Sequence, residues 1–301
     1  MTRHITIGIG LAALLAGLAV YSLPGLWGEA ATPVAPRIES RSYADPKIVP
    51  HKALYRIEMI SKRSSAQVLN ISGEMFFALK STCDAWTTDH RFNLLYEYAD
   101  SAPMRITSDF TTYERHAGDS FDFNSRRRRD GALYEELRGQ AMIADGAGTA
   151  DYTLPQDLEF ELPPGTLFPM AHTESVLRAA REGKKFFAAT IFDGSDEEGP
   201  AEVTAFIGKP VNVMAQMAPG SGIDTALINT PAWKMRLAFF PLNSTESEAD
   251  YEMNIVLHDN GVISDMAVDY KDFSVTQKLV ALEALPAASC GPPHGRDRIK
   301  P

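Results

Sequence analysis

The chain has 301 residues, 45% hydrophobic and 23% charged, the balance of a folded protein and not of a disordered one. Its net charge of −10 argues against a nucleic-acid binder and against broad electrostatic docking on anionic lipid headgroups. Two cysteines, with no histidine or second cysteine at ligand spacing, do not make a zinc site of three or four ligands.

From the amino end, Arg3 precedes the apolar stretch Ile5 to Val20, and Gly28, Glu29, Ala30 and Ala31 follow. A basic start, a short apolar core and a small-residue exit read as a secretory signal peptide over residues 1–30. The stretch falls short of the ~20 apolar residues of a membrane-spanning helix, and no later segment is more apolar. An uncleaved anchor is the alternative; either way the remaining chain lies outside the cytoplasm. Residues 31–50, with Pro33, Pro36, Pro46 and Pro50, form a proline-rich linker.

Ordered pattern begins at His51, and its period is two. Tyr55, Ile57 and Met59 alternate with Arg56 and Glu58. Trp233, Met235, Leu237 and Phe239 alternate with Lys234 and Arg236, and Tyr251, Met253, Ile255 and Leu257 with Glu252, Asn254 and His258. Val262, Met266, Val268 and Tyr270 oppose Ile263, Asp265, Ala267 and Asp269. Each run offers one buried and one wetter face, as in an antiparallel sheet. Asn260–Gly261 predicts a type I′ hairpin, while Asp130–Gly131, Asp193–Gly194 and Gly208–Lys209–Pro210 read as further turns. The short spacing of strands and turns favours a barrel or sandwich. One principal helix is expected from about Glu174 to Glu182, with Thr173 as N-cap and Gly183 as C′ residue, packed on the sheet or plugging a barrel end. A second, short helix is expected near Ser101, and the tail after Cys290 is read as disordered.

Cys83 and Cys290, in an exported chain, point to a disulfide; two unrelated buried thiols are the alternative. Cys83 precedes a strand and Cys290 closes the last one, so the bond would tie the ends of the sheet together. His51, His90, His116, His172, His258 and His294 show no metal-binding spacing, and His172 reads as a hydrogen-bonded residue at a helix start. Gly118–Asp119–Ser120 reads as a polar turn rather than a nucleophile block, and no G-x-S-x-G elbow is present. The acidic group Asp193, Asp196, Glu197 and Glu198 lacks the order of a calcium loop and reads as a solvated hairpin tip. Arg126 to Arg129 reads either as an anion contact or as an exposed strand paired with Asp130, Glu135 and Glu136. No catalytic constellation, metal site or cofactor motif emerges.

The order of several blocks carries a family resemblance. His51–Lys52–Ala53 with Tyr55 opens the domain; Gly73 and Phe77 lead to Cys83–Asp84–Ala85–Trp86–Thr87. Leu162–Pro163–Pro164–Gly165 precedes Phe168–Pro169 and His172, then Phe192–Asp193–Gly194. Asn260–Gly261–Val262, Asp269–Tyr270–Lys271–Asp272–Phe273 and Cys290 close the set. Together they resemble the EipB family of alphaproteobacterial envelope proteins, over about residues 51–291. The resemblance implies a mainly β fold: one long antiparallel sheet curling into a spiral or open barrel, with a helix inside or beside it, similar in outline to periplasmic carriers of lipids and lipoproteins. It maps the family's paired cysteines onto Cys83 and Cys290 and implies a non-catalytic role in cell-envelope integrity. The expected ligand is an apolar envelope component, a lipid or lipoprotein. A periplasmic adaptor for another envelope protein and an envelope-polymer hydrolase are the competing readings. Amino-terminal sequencing of the periplasmic protein should therefore start at Ala31 or Thr32; an intact Met1 in a membrane fraction would show an anchor instead.

Overall fold

A computed structural model describes residues 47–64, 66–214, 222–242 and 248–290. The expected signal peptide, most of the expected linker and the expected tail 292–301 lie outside the described residues. Ile48 and Val49 already pack against the large core ahead of His51.

The elements are β1 (His51–Lys62), β2 (Val68–Ser81), β3 (Ala85–Tyr98), β4 (Met104–Arg115), β5 (Ser120–Arg129), β6 (Ala132–Ala144), β7 (Ala147–Leu154), β8 (Glu159–Leu162), α1 (Pro169–Arg181), β9 (Phe186–Ile191), β10 (Ala201–Val211), α2 (Thr225–Ile228), β11 (Ala232–Pro241), β12 (Tyr251–His258), β13 (Ile263–Tyr270) and β14 (Phe273–Ala284). All fourteen strands join one antiparallel sheet in the order β8-β7-β6-β5-β4-β3-β2-β1-β14-β13-β12-β11-β10-β9. It consists of two meanders, β1–β8 and β9–β14, in which sequence neighbours pair. They are joined where the first strand meets the last, His51 opposite Ala284 through Lys62 opposite Phe273.

The sheet does not close into a barrel, because β8 and β9 do not pair. The seam is held by other means. Leu167 bridges Ile191 in parallel. The loop after β9 folds across the seam: Ser195 O accepts from Arg127 Nη2 and Asp196 O from the Tyr152 hydroxyl, each at 2.7 Å. Phe192 enters a small core with Phe121, Phe123, Leu137, Tyr152, Leu162 and Phe168. The larger core lies on the concave side of β1, β2 and β10–β14 and takes in Val176, Leu177, Ala179 and Ala180 of α1. The acidic group at 193–198 is thus the β9–β10 hairpin loop as expected, with Glu197 and Glu198 exposed but its start, Asp193 to Asp196, packed on β5 and β7. Gly194 has φ +64°, and a Cβ there would come within 2.4 Å of the Phe123 ring.

Local geometry departs from the sequence reading in four places. The helix starts at Pro169, not near Glu174, and Thr173 lies inside it, its hydroxyl donating to Pro169 O. Its end follows expectation: Gly183 has φ +74°, and the amides of Gly183 and Lys184 return to the carbonyls of Ala180 and Ala179 in a Schellman pattern. At Asn260–Gly261 only the glycine has positive φ, and the Gly261 amide donates to His258 O. That is a turn of type I kind followed by a left-handed residue. The both-positive pattern of type I′ belongs to Asp130–Gly131 and Asp145–Gly146. Gly208–Lys209–Pro210 is a bulge within β10, not a turn. Near Ser101 the chain forms a bend between β3 and β4, and the second helix is α2 instead.

A disulfide joins Cys83, in the β2–β3 turn, to Cys290, beyond the end of β14. It ties the middle of the sheet rather than its ends, beside the β1–β14 joint. Closing a loop of 207 residue steps restricts the unfolded chain, worth at most about 5 kcal/mol in the entropy model. Reduction, or Cys83→Ala with Cys290→Ala, should lower the melting temperature markedly. Unchanged melting after reduction would deny the bond a stabilising role.

Candidate functional site

Helix α1 crosses the concave side of the sheet, and carboxylates hold both its ends. Proline suits a first helical position, where the missing N–H would have no partner. Phe168 at the N-cap offers no side-chain acceptor. The acceptor comes from β4, where both carboxylate oxygens of Glu114 take the amides of Met170 and Ala171 at 2.8 Å. At the other end Arg181 pairs with Asp259, in the β12–β13 turn. β4 and β12 stand far apart in the sheet, so the helix, about 20 Å long, braces one end of the spiral. Burial holds the Glu114 carboxyl up at about 7, against the two amides, which favour the ionised form; Glu174 adds to the rise.

Between the two cores runs a partly exposed strip of the concave face. Cross-strand partners share a face, so His90 with Phe110, Phe92 with Ser108, Leu94 with Ile106 and Tyr96 with Met104 line it. Phe92, Leu94 and Tyr96 touch the large core and Phe110 the small one, yet all remain partly open. The strip leads away from α1 to a rim of aromatic residues. There Phe239 stacks on Tyr251 at 4.4 Å between ring centres, Tyr251 reaches Tyr270, and Tyr270 meets Phe273 at 5.0 Å. Burial foremost pushes the Tyr96 hydroxyl up to about 12, and the charges that Tyr270, Tyr98 and Tyr134 would carry add to the rise.

The structure does not assemble the chemistry-bearing residues of the sequence. Ser120 opens β5 after a turn in which the Gly118 amide donates to Arg115 O, and no hydrogen bond joins it to His172. His172 sits in α1 against Phe187, lowered by burial to about 4, its Nε2 without a partner. His90 lies between Phe77 and Phe110 and is likewise pushed down to about 4 by burial. His51 is buried against Val49 O, and His116 packs on Trp86. Among the described residues no cluster of potential ligands could hold a metal. Arg126 pairs with Glu136, Arg127 with Glu135 and Arg128 with Asp109, while Arg129 lies over the Tyr134 ring. Arg126 to Arg128 are therefore neutralised across strands, and Asp130 instead accepts from the Arg105 amide.

Two arrangements escape the sequence reading. Glu114 carries a local signal, a carboxylate at an inward position of β4, but its partner lies 56 residues away. His258 Nε2 lies 2.8 Å from Ser264 Oγ, and its Nδ1 lies 3.1 Å from Thr230 Oγ1. No carboxylate completes that set. His258 and Ser264 are 0% and 3% exposed, beyond the reach of a substrate.

This architecture defines an open β-spiral braced by an internal helix. The chain belongs to the EipB-like family, whose model matches residues 42–286. It is 29% identical over 279 residues to the cell envelope integrity protein EipB of Brucella abortus (strain 2308), covering 91% of this chain and 94% of that one. It is also similar to the crystal structure of a beta-barrel-like protein of a domain of unknown function from Brucella abortus. That match has a TM-score of 0.73 at 27% identity, over 81% of this chain and all of the other. Family and fold agree with what the ordered blocks implied.

The Glu114 carboxyl has a folded-state value of about 7 against an ordinary 4.5, so between those values the folded chain keeps a proton that the unfolded chain has lost. Its stabilising contribution is full below 4.5 and is lost as pH rises towards 7, by about 3 kcal/mol at most. His90, His172 and His258, held near 4, slope the opposite way, adding stability as pH rises from 4 to 6.5. Glu114→Gln isolates the carboxyl. In urea denaturation, the stability of the natural protein relative to this variant should fall as pH rises through that window. A pH-independent difference would show that the charged carboxylate is already satisfied.

Proposed function

We propose that the chain is a non-catalytic periplasmic protein that supports cell-envelope integrity by binding an apolar envelope component, a lipid or lipoprotein, on the concave face. Membership of the EipB-like family, a relative named for envelope integrity, the signal-like amino end and a disulfide suited to an oxidising compartment support the setting. The observation that carries the ligand is the strip of His90, Phe92, Leu94, Tyr96, Ile106 and Phe110, inward-facing but only partly covered. An acyl chain laid there gains about 0.8 kcal/mol per buried CH2.

A second reading, an adaptor for another envelope protein, rests on a different surface. Phe186 and Phe206, 51% and 52% exposed, pack edge to face on the convex side of β9 and β10. Beside them a depression is lined by Lys185, Lys234 and Arg236. An exposed aromatic pair with flanking cations fits a protein contact.

Delipidated, folded protein should bind a fluorescent fatty acid with a dissociation constant on the order of micromolar, and phospholipid should displace it. Leu94→Arg and Ser108→Trp, which charge or fill the strip, should weaken binding while Phe206→Ser leaves it unchanged. No probe binding by folded protein would leave the adaptor reading.

A further inference from the structure

Three large apolar residues near the aromatic rim are exposed, and each is the unpaired residue of a backbone bulge. In β1, Met59 opposes Val275 and Ser61 opposes Ser274, so Ile60 is the extra residue of a bulge. In β2, Val68 opposes Tyr98 and Asn70 opposes Glu97, leaving Leu69 as the extra residue. In β6, Glu135 opposes Arg127 and Leu133 opposes Arg128, leaving Tyr134. A bulge re-aims the residue that it leaves unpaired. These three are 59%, 49% and 47% exposed, with Leu133 and Tyr270 at 50% and 45% nearby. Strand direction places all of them at the end of the sheet away from α1. The Arg63 amide to Asp272 O bond joins the β1–β2 and β13–β14 tips.

We propose that this rim docks on the surface of a phospholipid bilayer, with Ile60, Leu69 and Tyr134 inserted among the lipids. Ile60 and Leu69 project from the β1–β2 hairpin and Tyr134 from the β5–β6 hairpin, so the apolar side chains are divided between two tips. A fluid apolar medium accepts such separate insertions. Tyrosines with one apolar and one polar end suit the boundary between headgroups and hydrocarbon. The same tips carry both signs of charge, Lys62, Arg63 and Arg129 beside Glu97, Asp100 and Asp130, so attraction to anionic lipid is not the driving force. Docking there presents the open end of the concave strip to a membrane, a source of apolar ligand. The inference deepens the ligand reading, but its readout is separate: vesicle binding needs no ligand in the strip, and probe binding needs no vesicle.

The test is co-sedimentation of the folded mature chain with sucrose-loaded phosphatidylcholine vesicles at low and high salt. The natural protein should pellet with vesicles at both salts. Combined Ile60→Ser, Leu69→Ser and Tyr134→Ser, checked for fold by near-ultraviolet circular dichroism, should weaken partitioning by about tenfold or more. Phe186→Ser with Phe206→Ser, at the other end of the sheet, should leave it unchanged. A second readout avoids any folding defect: Leu69→Trp emission should shift to the blue on adding vesicles, and Phe206→Trp emission should not. No pelleting of natural protein, binding abolished by salt, or equal loss in both sets of variants would overturn the proposal.

Discussion

Helix α1 depends on the Glu114 carboxylate, which supplies the acceptors that Phe168 lacks at the amino end of the helix. Without them two amides would be buried unsatisfied, a cost comparable to a lost hydrogen bond for each. With them the helix is fixed to β4, and Arg181 fixes its other end to the β12–β13 turn. The large core forms around the helix so placed, on the side of β1, β2 and β10–β14. The small core forms beyond it, with Phe168 packed against Phe121 just ahead of the first helical turn. The partly covered strip on β3 and β4 is what lies between.

The seam between β8 and β9 follows a similar logic. Sheet edges left open invite pairing with other chains. Here the edge of β9 near Ile191 is met by Leu167, and the following loop reaches across to Arg127 and Tyr152 through its own carbonyls. Side chains and a single bridge do the work of a missing ladder. The sheet can therefore stay open, with a concave face that a fully laddered barrel of the same strands would enclose.

Much of the fold was legible because it rests on local pattern. Alternation in Tyr55–Met59, Trp233–Phe239 and Tyr251–Leu257 reports two-faced strands, and Gly183 marks the helix end by a conformation that glycine adopts without strain. The errors arise where the deciding partner is distant in sequence. The helix start was misplaced because its cap belongs to β4, and Thr173 is the wrong acceptor in the right neighbourhood. The packing of the start of the 193–198 loop is not legible because Phe123, Arg127 and Tyr152, which cover it, belong to the other meander. The run Arg126 to Arg129 leaves an anion contact and a paired strand both open in sequence; cross-strand register decides for the second at Arg126 to Arg128, with the expected Glu136 and Glu135 and an unforeseen Asp109. The candidate strip was invisible for the same reason: its residues read as ordinary strand interior, and only the separation of the two cores leaves them uncovered.

The pairing of the first strand with the last bears on how the chain is made. Synthesis delivers the amino end first. The β1–β8 meander can assemble by successive hairpins, but the outer edge of β1 must wait for β14, whose partner residues begin at Phe273. For most of the chain's emergence β1 is therefore an open edge, available to any passing strand. Its convex face carries Lys52, Arg56 and Glu58, interrupted by Leu54, and charges along an open strand discourage edge-to-edge association. The charges that look like ordinary surface decoration in the finished sheet thus guard the unfinished one.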